Sequence, residues 1–207
     1  HQSKELRYFL LSSEHFFAEF NSRAQLEALL DLARSYFSDI KIVLYIRDPV
    51  WHVSSWISTR LRNGHVVSGL YPPEHPEVIK RVCRYSKLKL WSDTFGDDNI
   101  ILRLYDKSAW FGSNLLSDFL YSVGAIKSVK DYAPRVQDAN ISLSLSAMRF
   151  LYFVNKSFQE CGLKLSFSHQ KELVQYVSKH FNDGTRFAPS YHQREQYSVF
   201  YADDIAK

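Results

Sequence analysis

The sequence predicts an α/β protein: a parallel sheet flanked by helices, with a helical C-terminal portion. Three observations lead there. Short apolar runs rich in β-branched residues alternate with stretches of helical periodicity through the first half of the chain. One of these runs, Ile42 to Ile46, passes through Arg47-Asp48-Pro49 straight into a helix. After residue 140 the periodicity is helical throughout. No internal repeat or low-complexity linker interrupts the 207 residues, so residues 1–207 are taken as a single domain.

The elements follow in order. Leu6 to Leu11 reads as a first strand that stops in the polar cluster Ser12-Ser13-Glu14-His15. A helix from about Arg23 to Phe37 carries Leu26, Leu29, Leu30, Ala33 and Phe37 on one stripe, capped by Asn21 or Ser22. Ile42 to Ile46 has the unbroken apolar character of a strand covered on both faces. Asp48 then stands at a helix N-cap and Pro49 at the first helical position, opening a helix to about Asn63. A Gly- and Pro-rich loop to Pro76 leads to one helix bearing Val78, Val82, Tyr85, Leu88 and Trp91. Asn99 to Tyr105 is the next strand, and a helix from Leu115 to Val123 stops at Gly124. Three helices complete the chain, about Ser142 to Glu160, Gln170 to Phe181 and Gln193 to Ile205. Their aromatic residues, Tyr152, Phe153, Phe158, Tyr197, Phe200 and Tyr201, are assigned to the core.

Composition narrows the function classes. A net charge of +4 favours an anionic ligand only weakly, and no basic tract or nucleic-acid motif is present. No apolar run has membrane-spanning length. Two cysteines, Cys83 and Cys161, do not make a disulfide framework and fit a reducing compartment. His65 and His75 lack carboxylate or cysteine partners at ligand spacing, so no metal is assigned.

The chemistry concentrates at Arg47. A strand delivers it to the carboxyl edge of the sheet, where open α/β sheets bind ligands, and it adjoins a helix N-terminus. Ser55 follows eight residues later, two turns into the helix. A guanidinium that grips two oxygens and a hydroxyl that donates a third hydrogen bond suit a phosphate dianion. The plainer alternative is an arginine paired with Asp48 and a hydroxyl on a helix surface.

This strand, Arg47-Asp48-Pro49 and Ser55 resemble the 3′-phosphate-binding motif of sulfotransferases, whose donor is 3′-phosphoadenosine 5′-phosphosulfate. Other segments are similar in order to the bacterial carbohydrate-type members: Phe9 to Glu14, Leu61 to Gly64, Tyr85 to Trp91, Phe95 to Tyr105, Leu116 to Leu120 with Val123-Gly124, and Asn140 to Ser144. The resemblance covers roughly residues 6–150. It implies a P-loop NTPase-like sulfotransferase fold and sulfuryl transfer to a hydroxyl of a carbohydrate or glycolipid acceptor, without a metal. It implies that Arg47 and Ser55 hold the 3′-phosphate, with Arg135 adding to that pocket. It implies Glu14 as the general base, with His15 next in line; a capping role for the Ser-Glu cluster is the plainer reading. The loop from Asn63 to Pro76 would border the acceptor; Arg60 and Arg62 are candidates to contact an anionic acceptor, with a solvated helix face as the plainer and preferred reading.

One departure stands out. The glycine- and lysine-containing loop that holds the 5′-phosphosulfate does not occur in the sequence. Gly64-His-Val-Val-Ser-Gly69 has phosphate-loop spacing but continues as Leu70-Tyr71 and follows a helix. The loop and its strand are expected upstream of His1. A metabolite kinase with the same sheet, or a non-enzymatic sulfotransferase-like binding protein, are the alternative functions. A bacterial cytoplasmic location follows from the resemblance and the two cysteines, with the Golgi lumen as the alternative.

Overall fold

The structure, a computed structural model, describes residues 9–82, 84–131 and 142–206. It is a mixed α/β arrangement in which helices dominate and the described sheet is a single pair of parallel strands. β1 (Ile42–Ile46) pairs with β2 (Ile100–Leu104) from Ile42↔Ile100 to Ile46↔Leu104. The crossover between them runs through α3 (Pro49–Arg62), α4 (Pro76–Arg81) and α5 (Tyr85–Phe95). Before β1 lie α1 (Glu14–Glu19) and α2 (Arg23–Arg34); after β2 comes α6 (Leu115–Ser122). The C-terminal portion holds α7 (Leu145–Glu160), α8 (Phe167–His180), α9 (Tyr191–Phe200) and the short α10 (Ala202–Ile205).

Local chemistry explains most boundaries. Ser22 caps α2 in a reciprocal box with Gln25. Asp48 accepts from the N–H groups of Val50 and Trp51 at the start of α3, with Pro49 in the first helical position. Buried Val50, Val53, Ser54, Ile57 and Leu61 recur at three- and four-residue spacing along α3, which makes it the spine of the larger core. Around it pack Ala147, Met148 and Leu151 of α7, Val177 of α8 and Tyr197 of α9. A second, smaller cluster joins Leu26 and Leu30 of α2 to Trp91 and Phe95 of α5, near Ile42 and Ile100 at the amino ends of the strands.

These two clusters explain the main departure from the predicted elements. The single helix expected through Val78 and Trp91 is two helices. Val78 and Val82 belong to the larger cluster, Trp91 and Phe95 to the smaller. One straight helix cannot serve both, so the chain turns extended at Val82 and Arg84. The new helix start is capped from far away: Asp204 Oδ1 accepts from the Tyr85 N–H at 2.9 Å.

Other expectations are also corrected. Residues 9–11 form no strand, and Phe9, Leu10 and Leu11 are each more than 60 % exposed; residues 6–8 lie outside the described residues. β1 is only half-buried and Leu102 and Leu104 of β2 are exposed, so the described residues do not cover the sheet on both faces. Phe153 and Phe200 are surface residues, while Tyr197 and Tyr201 are core as expected. No helix among the described residues is long and apolar enough to cross a membrane.

Candidate functional site

The parallel register brings the carboxyl ends of both strands to one edge. Tyr105, just past β2, donates its N–H to the Ile46 carbonyl at 2.7 Å, so Arg47 and Tyr105 leave the sheet side by side. The Arg47 guanidinium lies over the Tyr105 ring, 5.3 Å from its centroid. That ring is braced edge-on by Tyr45 at 6.4 Å and by Trp110 at 5.1 Å. Trp110 is fixed in turn, its Nε1 donating to the Leu104 carbonyl at 3.0 Å. Arg47 is therefore a half-buried cation over an aromatic platform. A cation–π contact does not consume the guanidinium N–H groups, the ones that grip oxyanions.

Below the platform is a buried ionic group that the sequence analysis did not single out. The Asp118 side chain, on α6, is fully buried. It accepts from the Tyr45 hydroxyl at 2.7 Å, from Arg103 Nε at 3.0 Å and from the Phe111 N–H at 2.8 Å, and pairs with Arg103 Nη2. Burial opposes its ionisation, but the hydrogen bonds from Arg103, Phe111 and Tyr45 outweigh it and hold the carboxyl below its ordinary range. Burial, reinforced by Asp118, drives the Tyr45 hydroxyl far above the usual phenol range, so it acts as a fixed donor. β1, β2 and α6 are thus tied together, and Tyr45 joins this group to the Tyr105 ring. The signal was present in the sequence: an arginine inside Ile100–Leu104 and an aspartate inside Leu-Leu-Ser-Asp-Phe-Leu are charges in apolar surroundings and require partners.

Asp48 does not neutralise Arg47. Its carboxylate caps α3, accepting from Val50 N at 3.0 Å and Trp51 N at 3.3 Å. This also removes those helix N–H groups as anion donors, so recognition at this edge falls to side chains. Ser55 stands exposed on the flank of α3 that carries Trp51 and His52, four and three residues before it. Ser54 beside it is the buried one.

The other predicted site residues are placed as follows. Glu14 is the first residue of α1, and only its backbone belongs to the description. Ser13 is the N-cap, accepting from the His15 N–H at 3.1 Å, which is the capping arrangement the Ser-Glu cluster allowed. Phe16, Phe17 and Phe20 seat α1 on the cluster at the amino ends of the strands. The role of base for Glu14, or for His15, remains an expectation of the resemblance. Arg135 lies outside the described residues. The loop after α3 is pinned to the larger core: Tyr197 donates to the Tyr71 carbonyl at 2.7 Å and Tyr201 to the Pro73 carbonyl at 3.3 Å. His75 caps α4 through Nδ1 and stacks on Tyr71. Arg60 and Arg62 are both half-buried, contrary to a solvated face.

A scan against protein-family models, a search of curated proteins and a search of solved structures each find no match to this chain.

Proposed function

We propose that the chain is a sulfotransferase, moving a sulfuryl group from 3′-phosphoadenosine 5′-phosphosulfate to a hydroxyl of a carbohydrate or glycolipid. The observation that carries this reading is Arg47 at the carboxyl end of β1, over the Tyr105 ring and without a carboxylate partner among the described residues. A planar guanidinium immobilised in this way loses little freedom on gripping two phosphate oxygens. Ser55, exposed in the second turn of α3, is the candidate for the third hydrogen bond. Because Asp48 takes the helix N–H groups, the pair of side chains must do the recognition alone. That sharpens the dependence on Arg47. The acceptor hydroxyl loses its proton to a base, for which Glu14 is the candidate and His15 the next. As its oxygen bonds to sulfur, the bond from sulfur to the bridging oxygen of the departing nucleotide breaks. The resemblance assigns the stabilisation of that departing charge to a glycine–lysine loop absent from this sequence.

The test is calorimetric titration with adenosine 3′,5′-bisphosphate beside adenosine 5′-monophosphate. The bisphosphate binds at least tenfold more tightly, and Arg47→Ala removes that preference while cooperative thermal unfolding is retained. Equal binding of the two nucleotides, or an unchanged preference in the variant, would sink the assignment.

A further inference from the structure

The opposite end of α3 opens on a trough of about 1360 Å³. Its walls are the last turn of α3 with the residues after it, the second half of α7, the segment joining α7 to α8, and α8. This exceeds the space that a single small metabolite fills, roughly 300–1,000 Å³.

The charge in the trough is one-sided. Arg60 and Arg62 of α3 and His65 just after it line one side, and Lys164, Lys171 and Lys179 the α8 side; no aspartate or glutamate is among its lining residues. The chain as a whole carries 26 lysines and arginines against 22 acids, so this is segregation and not a reflection of overall charge. Part of it has a helix-local cause: Arg60, Arg62 and Lys179 sit in last turns, where the helix dipole favours cations. Lys164 and Lys171 have no such cause. Lys164 precedes α8 and Lys171 lies near its start, where the dipole opposes a cation. His65 registers the resulting field, its pKa pushed down by burial and then by Arg60 and Lys164.

Gln170 supplies an independent observation. Its side chain lines the trough and is only 8 % exposed, yet its buried Nε2 has no hydrogen-bond partner. The amide oxygen faces Gly64, where an added Cβ would come within 3.3 Å of it. Gly64 itself has φ +84°, a conformation that glycine alone adopts without cost. A buried amide donor left unsatisfied costs about 1–3 kcal/mol, and such a group calls for a partner. The donor is closed off from the trough as it stands, and a rotation of the side chain would bring it to a ligand oxygen there.

We infer that this trough binds an anionic oligosaccharide, one bearing sulfate, phosphate or carboxylate groups along several sugar units. The cations are interleaved with Asn63, Gln159, Gln175 and Ser178. These groups both donate and accept, as sugar hydroxyls do, whereas a run of bare phosphates needs donors only. The concave shape does not match a flat bilayer surface. The site is separate from the Arg47 edge by the length of α3, about 20 Å at 1.5 Å per residue. It does not rest on the sulfotransferase reading.

The probe is a size-defined heparin hexasaccharide, titrated at 50 and 200 mM salt beside maltohexaose, a six-nucleotide oligothymidylate and phosphatidylserine vesicles. The hexasaccharide binds saturably and weakens at the higher salt; maltohexaose does not bind, and the oligonucleotide and the vesicles bind at least tenfold more weakly. Lys164→Ala with Lys171→Ala, both exposed side chains, reduces hexasaccharide affinity at least tenfold. Gln170→Leu reduces it at least threefold with a cooperative melt retained. Absence of saturable binding at 50 mM salt overturns the inference. So does oligonucleotide or vesicle binding as tight as the hexasaccharide, or full affinity in the double lysine variant.

Discussion

At the amino end of α3 a single arginine lies over an aromatic ring, and the helix's own N–H groups are taken up by Asp48. At the carboxyl end six basic side chains line a trough, with a buried glutamine amide unsatisfied among them. The first end is built for one oxyanion held in a fixed orientation. The second attracts charge over a long surface and fixes little geometry. Their foundations differ in the same sense. Beneath Arg47 is the ion-paired group of Asp118, Arg103 and Tyr45, which joins three elements. Beneath the trough is the apolar packing of α3 on α7 and α8, with one neutral side chain, Asn155, bridging α7 to α3.

This contrast is broken most forcefully at Asp118. Asp118→Ala strands the Arg103 charge and the Tyr45 hydroxyl, and should cost about 3 kcal/mol, at the low end for a broken buried pair because Arg103 is partly exposed. Urea unfolding measures it, and a loss below 1 kcal/mol would show that the ionic foundation is unimportant. The same group sets a pH signature. Its folded carboxyl titrates below the ordinary value, so its stabilisation is complete above that value and disappears as pH falls through the folded pKa. Unfolding midpoints between pH 5 and 2 should drop more steeply for the native protein than for Asp118→Asn; parallel profiles would refute this.

Next in size is the neutral foundation. Asn155→Leu leaves the carbonyls of Leu61 and His65 without this donor and should destabilise by about 2 kcal/mol, with little dependence on pH from 5 to 8. A pH-dependent loss in that range would erase the distinction between the two foundations. The smallest change in stability belongs to Arg47→Ala, about 0.5–1 kcal/mol for the lost stacking on Tyr105. A loss of 2 kcal/mol or more would make Arg47 a structural residue first.

How far these features could be read from the sequence depended on whether their causes were local. β1 matches the predicted Ile42 to Ile46, and α3 begins at the predicted cap, because Asp48-Pro49 carries its own start signal. Arg47 and its place at the sheet edge were legible for the same reason. The break between α4 and α5 was not, since its causes are two separate hydrophobic clusters and a cap from Asp204, which is 119 residues away. Tyr105 looked like the tail of a strand; its role under Arg47 depends on the strand register. The trough escaped notice because its residues come from three helices, each unremarkable alone, and Arg60 and Arg62 have ordinary last-turn positions. The exposed Phe9 to Leu11 show the reverse failure: their apolar character suggested a strand, but the described residues give them no partner strand.

Asn155 has one more consequence. Its Nδ2 donates to the Leu61 carbonyl at 2.8 Å and to the His65 carbonyl at 3.0 Å. The last turn of a helix ordinarily frays on its own, because its carbonyls have no partner within the helix. Here the stopper is carried by a neighbouring helix, so the end of α3 opens only when α7 withdraws. Amide protons in that turn would then exchange with solvent at the slow rate of the surrounding core, not the fast rate of a helix tip. One wall of the trough is accordingly in place before any ligand arrives, and none of the binding free energy is spent on ordering it.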